Sequence, residues 1–219
     1  PLLAKYKKAK ISLPGGCAIG TRPVNLHLFA LKKLGAKIKI KNGYIIANTE
    51  HGLKGTNITF PTISVGATEN AILAAFYADG ITIIRNCAIE PEVKDLIRFL
   101  NKLGGKIKLT GRKIIIRGRK IIKKEITHEV IFDRIELGTY MIAAALIGKK
   151  IIIQKIDPTI VKKEINILKK MGVKIRIRKN SIEILKSIYI KKINVSTSPY
   201  PGFPTDLQAQ LMVLMSRAK

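Results

Sequence analysis

The chain has 219 residues, enough for one or two domains with a sizeable core, and 47% of them are apolar, which excludes a disordered basic tail. No window reaches ~18 uninterrupted apolar residues, so no membrane-spanning helix is expected, and the first ten residues lack the apolar core of a secretion signal. The net charge is +27, and the two cysteines, Cys17 and Cys87, are too few for a disulfide framework and lack zinc-ligand spacing, which points to a reducing, cytoplasmic setting.

Lys supplies 31 of the 41 basic residues and Ile a further 39 positions, an excess spread over the whole chain. A nucleic-acid binder gathers Arg and Lys on one face and interleaves aromatics that stack on bases. Aromatics are only 5% here, with no Trp, so the charge reads as a compositional bias on solvated faces.

In chain order the first feature is a loop, Leu13-Pro14-Gly15-Gly16-Cys17-Ala18-Ile19-Gly20-Thr21-Arg22-Pro23. Its glycines and prolines mark an exposed connection. A cysteine near Arg22 and a helix start has electropositive neighbours that lower a thiol pKa. A helix is expected next, with Val24, Leu28, Leu31 and Leu34 on one face. It ends at Gly35, and the alternation Lys37-Ile38-Lys39-Ile40 runs into the hairpin turn Asn42-Gly43 and then Tyr44-Ile45-Ile46. A second helix is expected over about Ala67–Ala78, then a strand over Ile81–Ile84.

The same order then repeats. Val93, Ile97, Leu100 and Leu103 precede Gly104, and Val161, Ile165, Leu168 and Met171 precede Gly172, so the three glycines sit 69 and then 68 residues apart. A proline lies near each helix start (Pro23, Pro91, Pro158), where its missing N–H costs nothing. Thr110-Gly111 and Lys179-Asn180 occupy the matching turns. Second helices follow at about Ile135–Leu146 and Asp206–Met215, with a strand at Ile151–Ile153. Units of about 70 residues exceed the common solenoid periods of ~20–50 residues, so a globular pseudo-symmetric α/β fold is expected.

The Gly-Gly-Cys loop closely resembles the catalytic loop of the UDP-N-acetylglucosamine enolpyruvyl transferases (1-carboxyvinyltransferases). Ile63-Ser64-Val65-Gly66-Ala67-Thr68, Glu90-Pro91-Glu92-Val93, Asp133-Arg134-Ile135-Glu136 and Phe203-Pro204-Thr205-Asp206-Leu207-Gln208-Ala209-Gln210 match in the same order. The resemblance implies a two-domain inside-out α/β barrel of repeated units, incomplete at both ends in this chain. Residues 1–131 would be about two of three units of one domain, and residues 132–219 the start of the second. It also implies transfer of an enolpyruvyl group from phosphoenolpyruvate to the 3′-hydroxyl of UDP-N-acetylglucosamine by addition and elimination, the first committed step of peptidoglycan synthesis. No metal or organic cofactor is implied, and the complete protein would be a cytoplasmic monomer with no specific nucleic-acid partner. A half-length chain is expected to lack activity by itself.

Site residues follow from the same resemblance. Cys17 would protonate carbon and react with the epoxide antibiotic fosfomycin, and Asp206 would take the sugar hydroxyl's proton. Taken alone, Asp206 before a helical run reads as an N-cap. Arg22, Pro23, Val24, Asn25 and Leu26, together with Thr62, Ile63, Ser64 and Val65, would hold the nucleotide sugar. Thr62 stands where some members carry a lysine, and Asn25 where some carry an aspartate. Arg22 opens a helix N-terminus, where backbone N–H groups already favour anions. Cys87, which lacks the glycine lead-in, reads as a small buried hydrophobe. His27, His51 and His128 share no metal or triad spacing and read as structural or solvent-facing. Two other readings compete: a shikimate-pathway enolpyruvyl transferase, which lacks a Gly-Gly-Cys loop, and a basic nucleic-acid-binding module.

Overall fold

A computed structural model of the chain describes residues 2–16, 22–118, 125–147, 150–187 and 189–219. In chain order the elements are α1 (Leu2–Tyr6), β1 (Lys8–Ser12), α2 (Asn25–Lys33), β2 (Lys37–Lys41), β3 (Tyr44–Asn48), β4 (Asn57–Thr59), α3 (Val65–Phe76), β5 (Ile81–Arg85), α4 (Pro91–Lys102), β6 (Lys106–Thr110) and β7 (Lys113–Arg117). Then come α5 (Arg134–Ile147), β8 (Ile151–Gln154), a 3₁₀ turn (Pro158–Val161), α6 (Lys162–Lys170), β9 (Lys174–Arg178), β10 (Ser181–Leu185), a second 3₁₀ turn (Thr205–Leu207) and α7 (Gln208–Met215). None of the helices among the described residues is long and apolar enough to cross a membrane.

The repeat is present three times, as strand, helix and hairpin. Strand orders are β1-β3-β2, β5-β7-β6 (with β4 added beside β5) and β8-β10-β9. In each, the last strand of the unit lies between the other two and pairs antiparallel with both. Each of α2, α4 and α6 stops the same way. Gly35, Gly104 and Gly172 adopt φ of 95°, 92° and 91°. The N–H groups of Ala36, Gly105 and Val173 donate to Leu31, Leu100 and Leu168 carbonyls at 2.9–3.0 Å, while the glycine N–H bonds three residues back. This is the Schellman arrangement, which needs a residue in the left-handed region.

The hairpins differ in their turns. Asn42 and Gly43 both have positive φ (50° and 75°), the geometry that matches the twist of the flanking strands. In the second unit Thr110 pairs with Lys113, so the turn is Gly111-Arg112 rather than Thr110-Gly111. The expected strand starting at Ile81 is β5, but β1 and β4 were not expected. Pro91 opens α4 as its first residue, whereas Pro158 opens a 3₁₀ turn ahead of α6 and Pro23 lies before α2.

In the first two repeats the second helix is more deeply buried than the first, whereas in the third α7 buries only Leu211 and Leu214. Along α3, Ala67, Thr68, Ala71, Ile72, Ala74, Ala75 and Phe76 are buried; along α5, Leu137, Gly138, Met141, Ile142, Ala144 and Ala145 are. Small residues on several faces let neighbouring elements approach. Ser64 caps α3, its Oγ accepting from Ala67 N at 3.3 Å, and Asp133 caps α5, its Oδ1 accepting from Ile135 N at 2.7 Å and Glu136 N at 3.2 Å. The helix expected from Asp206 begins as the 3₁₀ turn instead.

The chain divides into two units, Pro1–Glu129 and Val130–Lys219, each with its own apolar core. In the first, residues 125–129 return to α4. Asp95 accepts from Arg98 Nη2 at 2.9 Å and meets His128 Nε2 at 3.1 Å, the His128 ring stands edge-on to Phe99 at 5.4 Å, and Lys102 Nζ donates to Thr127 O at 3.2 Å. Burial alone would raise the Asp95 carboxyl, but the hydrogen bonds and charges of His128 and Arg98 hold it below the ordinary aspartate value of 3.8. A carboxyl depressed in the folded state contributes stability above its unfolded value and loses it as pH falls through the folded one. Asp95→Ala is therefore expected to cost ~1–3 kcal/mol near neutral pH, because the partners of a buried acceptor are stranded. In urea titrations the gap to the unmodified protein should close as the pH drops below 3.8. A gap that stays constant into acid would rule this pair out as the source.

Candidate functional site

Two of the segments expected to bind ligand converge in the first unit. Arg22 and Pro23 are exposed ahead of α2, Val24 sits at its N-cap position, and Leu28 N donates to Val24 O at 3.0 Å. Among the described residues, no side chain caps this terminus. An uncapped helix start that follows an exposed arginine is an arrangement that favours an anion. Asn25 is exposed and Leu26 half-buried.

The second segment runs from exposed Thr62 through half-buried Ile63, Ser64 and Val65 into α3. It is braced from below. Asn86 Nδ2 donates to Phe60 O at 2.8 Å, Phe60 and Phe29 rings lie 6.3 Å apart, Thr68 Oγ1 donates to Ser64 O at 2.7 Å, and Ala88 N donates to Thr68 Oγ1 at 3.0 Å. The two segments meet where α2 crosses the start of α3. A Cβ placed on Gly66 would stand 3.3 Å from His27 Cε1 and 3.6 Å from Nε2, so the absence of a side chain at 66 lets the helix starts approach.

His27 is the residue that the sequence left unassigned. Burial lowers its pKa, so the neutral ring dominates at neutral pH and can donate and accept one hydrogen bond each. Its only sequence signal was its place directly after Leu26. A structural histidine and a ligand-facing one look alike at that level.

Cys17 lies outside the described residues. The other cysteine is buried, with its backbone tied to Arg112: Cys87 N donates to Arg112 O at 3.2 Å and Arg112 Nη1 to Cys87 O at 3.1 Å. Burial pushes the Cys87 thiol up to about 11, so it is an inert thiol at neutral pH, as its sequence context suggested.

In the second unit Asp206 is exposed within the 3₁₀ turn Thr205–Leu207. It is not an N-cap. Leu207 holds that position for α7 and no side chain bonds the helix start, which leaves the carboxylate available. The turn is seated by Leu207, which is fully buried against the bare Cα of Gly138 on α5, and by Gln210 Nε2 donating to Thr139 Oγ1 at 3.0 Å. Of the neighbouring motif, Asp133 is spent on capping α5. Arg134 is buried with its guanidinium 5.8 Å from the Tyr200 ring centroid, and its charge opposes the rise that burial imposes on Glu164.

Comparison with known proteins fits this picture. The chain is 59% identical over 219 residues to the UDP-N-acetylglucosamine 1-carboxyvinyltransferase of Pelagibacter ubique and 50% identical over 216 residues to that of Endomicrobium trichonymphae. These matches take in 100% and 98% of the chain but 52% and 51% of the relatives, so the chain spans about half the length of the curated relatives it matches. Among solved structures, the enolpyruvyl transferase NikO from Streptomyces tendae superposes with a TM-score of 0.84 at 20% identity, covering 100% of this chain and 52% of that one. EPSP synthase from Acinetobacter baumannii superposes with a TM-score of 0.62 at 24% identity over 89% of this chain and 47% of that one. Those likenesses show the enolpyruvyl transferase fold that the resemblance implied, and the triple repeat agrees with its pseudo-symmetry. Residues 1–219 all match one family, and the chain belongs to it: the EPSP synthase (3-phosphoshikimate 1-carboxyvinyltransferase) family.

Proposed function

We propose that the protein carrying this chain transfers the enolpyruvyl group of phosphoenolpyruvate to the 3′-hydroxyl of UDP-N-acetylglucosamine and releases phosphate. The observation that carries this reading is the meeting of Arg22–Leu26 with Thr62–Val65 at His27 and Gly66. It forms an anion-favouring corner between two helix starts, suited to the diphosphate of a nucleotide sugar. Similarity to UDP-N-acetylglucosamine 1-carboxyvinyltransferases supports the same substrate, and the Gly15-Gly16-Cys17 loop speaks against the shikimate-type enzyme.

In the addition step the sugar oxygen bonds to C2 of phosphoenolpyruvate while C3 gains a proton. In the elimination step C3 loses a proton and the C2–O bond to phosphate breaks. Cys17 is the proton donor to carbon and Asp206 the acceptor of the hydroxyl proton. Exposure of Asp206, without a capping duty, is what that role requires. Residues 1–131 supply about two units of one domain and residues 132–219 open the second. The product feeds peptidoglycan synthesis in the cytoplasm, in line with roles in cell shape and division.

The nucleotide-sugar corner is tested by calorimetry in the intact protein. Arg22→Ala should weaken UDP-N-acetylglucosamine by roughly 10–100-fold, the worth of a charge-assisted hydrogen bond. Arg85→Ala, on the outer surface of β5, should leave affinity unchanged. Equal affinities for the Arg22 variant and the unmodified protein would remove this corner from the substrate site.

A further inference from the structure

We propose that the outer face of the β1-β3-β2 sheet is a docking surface for an anionic lipid bilayer. Strand register arranges this face as three rows: Lys8, Asn48 and Lys37; Lys10, Ile46 and Lys39; Ser12, Tyr44 and Lys41. All nine side chains are exposed, while the opposite face turns Ala9, Ile38 and Ala47 to the core. The result is an ordered lattice. Lysines stand on both edge strands, and Tyr44 and Ile46 form an apolar column between them, 42% and 38% exposed. The acid paired with it, Glu50, reaches Lys37 at 3.6 Å through an exposed contact of little strength.

The third sheet does not share this lattice. At the place that Ile46 holds in its hairpin, the hairpin of β9 and β10 carries Glu183. Its carboxylate contacts Lys150 at 3.0 Å and Arg176 at 3.9 Å. The Lys150 hydrogen bond and the surrounding cations lower its pKa, so that face carries its own counter-charge. The first sheet has no such acid at its centre.

The chemistry fits a lipid surface better than a nucleic acid. The lattice has no arginine, whose planar fork would grip phosphates bidentately. Its single aromatic is not a free stacking platform, since Lys10 Nζ lies 4.4 Å from the Tyr44 ring centroid. A flat face with lysine stems at the edges and Tyr and Ile in the middle lets ammonium groups reach headgroups while the apolar column sits at the interface. Attraction of juxtamembrane lysines to anionic lipid amounts to roughly fivefold in partitioning for each, and it decays within about 8 Å at physiological salt.

The test is sedimentation of the intact protein with vesicles of phosphatidylcholine and phosphatidylglycerol, against vesicles of phosphatidylcholine alone. One variant replaces Lys8, Lys10, Lys37, Lys39 and Lys41 with Gln. A charge-matched control replaces exposed Lys162, Lys163, Lys169, Lys170 and Lys192 with Gln. The face variant should lose about 100-fold or more of the partitioning to anionic vesicles, and the control only a small part. Ile46→Glu, which sets a carboxylate at the lattice centre, should by itself lose roughly tenfold. Unmodified protein should release progressively as salt rises. Equal losses in face and control variants, absence of binding to anionic vesicles at low salt, or tighter binding to duplex DNA through the same lysines would overturn the proposal.

Discussion

Cys17→Ala, made in the intact protein, is expected to lower turnover by about 10²–10⁴-fold, the usual contribution of a positioned general acid. Cys17→Asp should retain a proton donor and keep much of the activity. Fosfomycin separates the two cysteines more sharply. Its epoxide carbon is attacked by thiolate sulfur, the carbon–oxygen bond opens, and the oxygen takes up a proton. Only the thiolate is competent. With its thiol at about 11, Cys87 is thiolate in roughly one molecule in 10⁴ at pH 7, and it is fully buried as well. Mass spectrometry should therefore find the label on Cys17 and none on Cys87, with nucleotide sugar accelerating the reaction. A label on Cys87, or undiminished labelling of Cys17→Ala, would take Cys17 out of the mechanism.

The largest stability effects are expected at Phe76 and Gly105. Phe76 is fully buried at the end of α3 and stands edge-on to Tyr77 at 5.4 Å. Phe76→Ala should cost ~3–5 kcal/mol, transfer and cavity together. Gly105 follows the helix-ending glycine of the second unit, at the place held by Ala36 in the first and Val173 in the third. A Cβ on Gly105 would come within 2.7 Å of Leu100 O and 2.8 Å of Phe76 Cε2. The carbonyl contact belongs to the same Schellman geometry that Ala36 and Val173 accommodate, so the Phe76 ring is the obstacle particular to this unit. Leu146 on α5 stands where Phe76 stands on α3. The next repeat thus carries two medium side chains, Leu146 and Val173, at the places filled here by Phe76 and by no side chain. Gly105→Ala alone should cost about 1–3 kcal/mol. Combined with Phe76→Leu it should cost less than the two single changes together, a coupling of ~0.5–3 kcal/mol by double-mutant cycle. Strict additivity would show that the ring and the glycine are independent.

Much of the architecture is local, and local patterns are what a sequence displays. The apolar spacing before Gly35, Gly104 and Gly172 defines three helices, and the left-handed φ that only glycine adopts cheaply ends each of them, whatever surrounds it. Asn42-Gly43 likewise fixes its own hairpin. The proposed site segments, Arg22–Leu26, Thr62–Val65 and the Gly-Gly-Cys loop, are legible as short contiguous motifs through their family resemblance.

Other features depend on neighbours far along the chain. Three-residue β4 is too short for alternation to declare it and exists because β5 offers it a parallel edge, while β1 alternates over five residues but becomes part of a sheet only by pairing with β3. His27 lies beside the proposed substrate segments only because Gly66 lets α3 approach it, and Asp206 is not a helix cap because Leu207 holds that position. The turn in the second hairpin moved one residue because pairing of Thr110 with Lys113 sets the register, not the Thr-Gly dipeptide. Lysines scattered through the sequence became a lattice because alternate residues on three paired strands share one face. Backbone dihedral preference acts within a few residues and is legible there, whereas register, burial and shared faces arise from contacts that only folding creates.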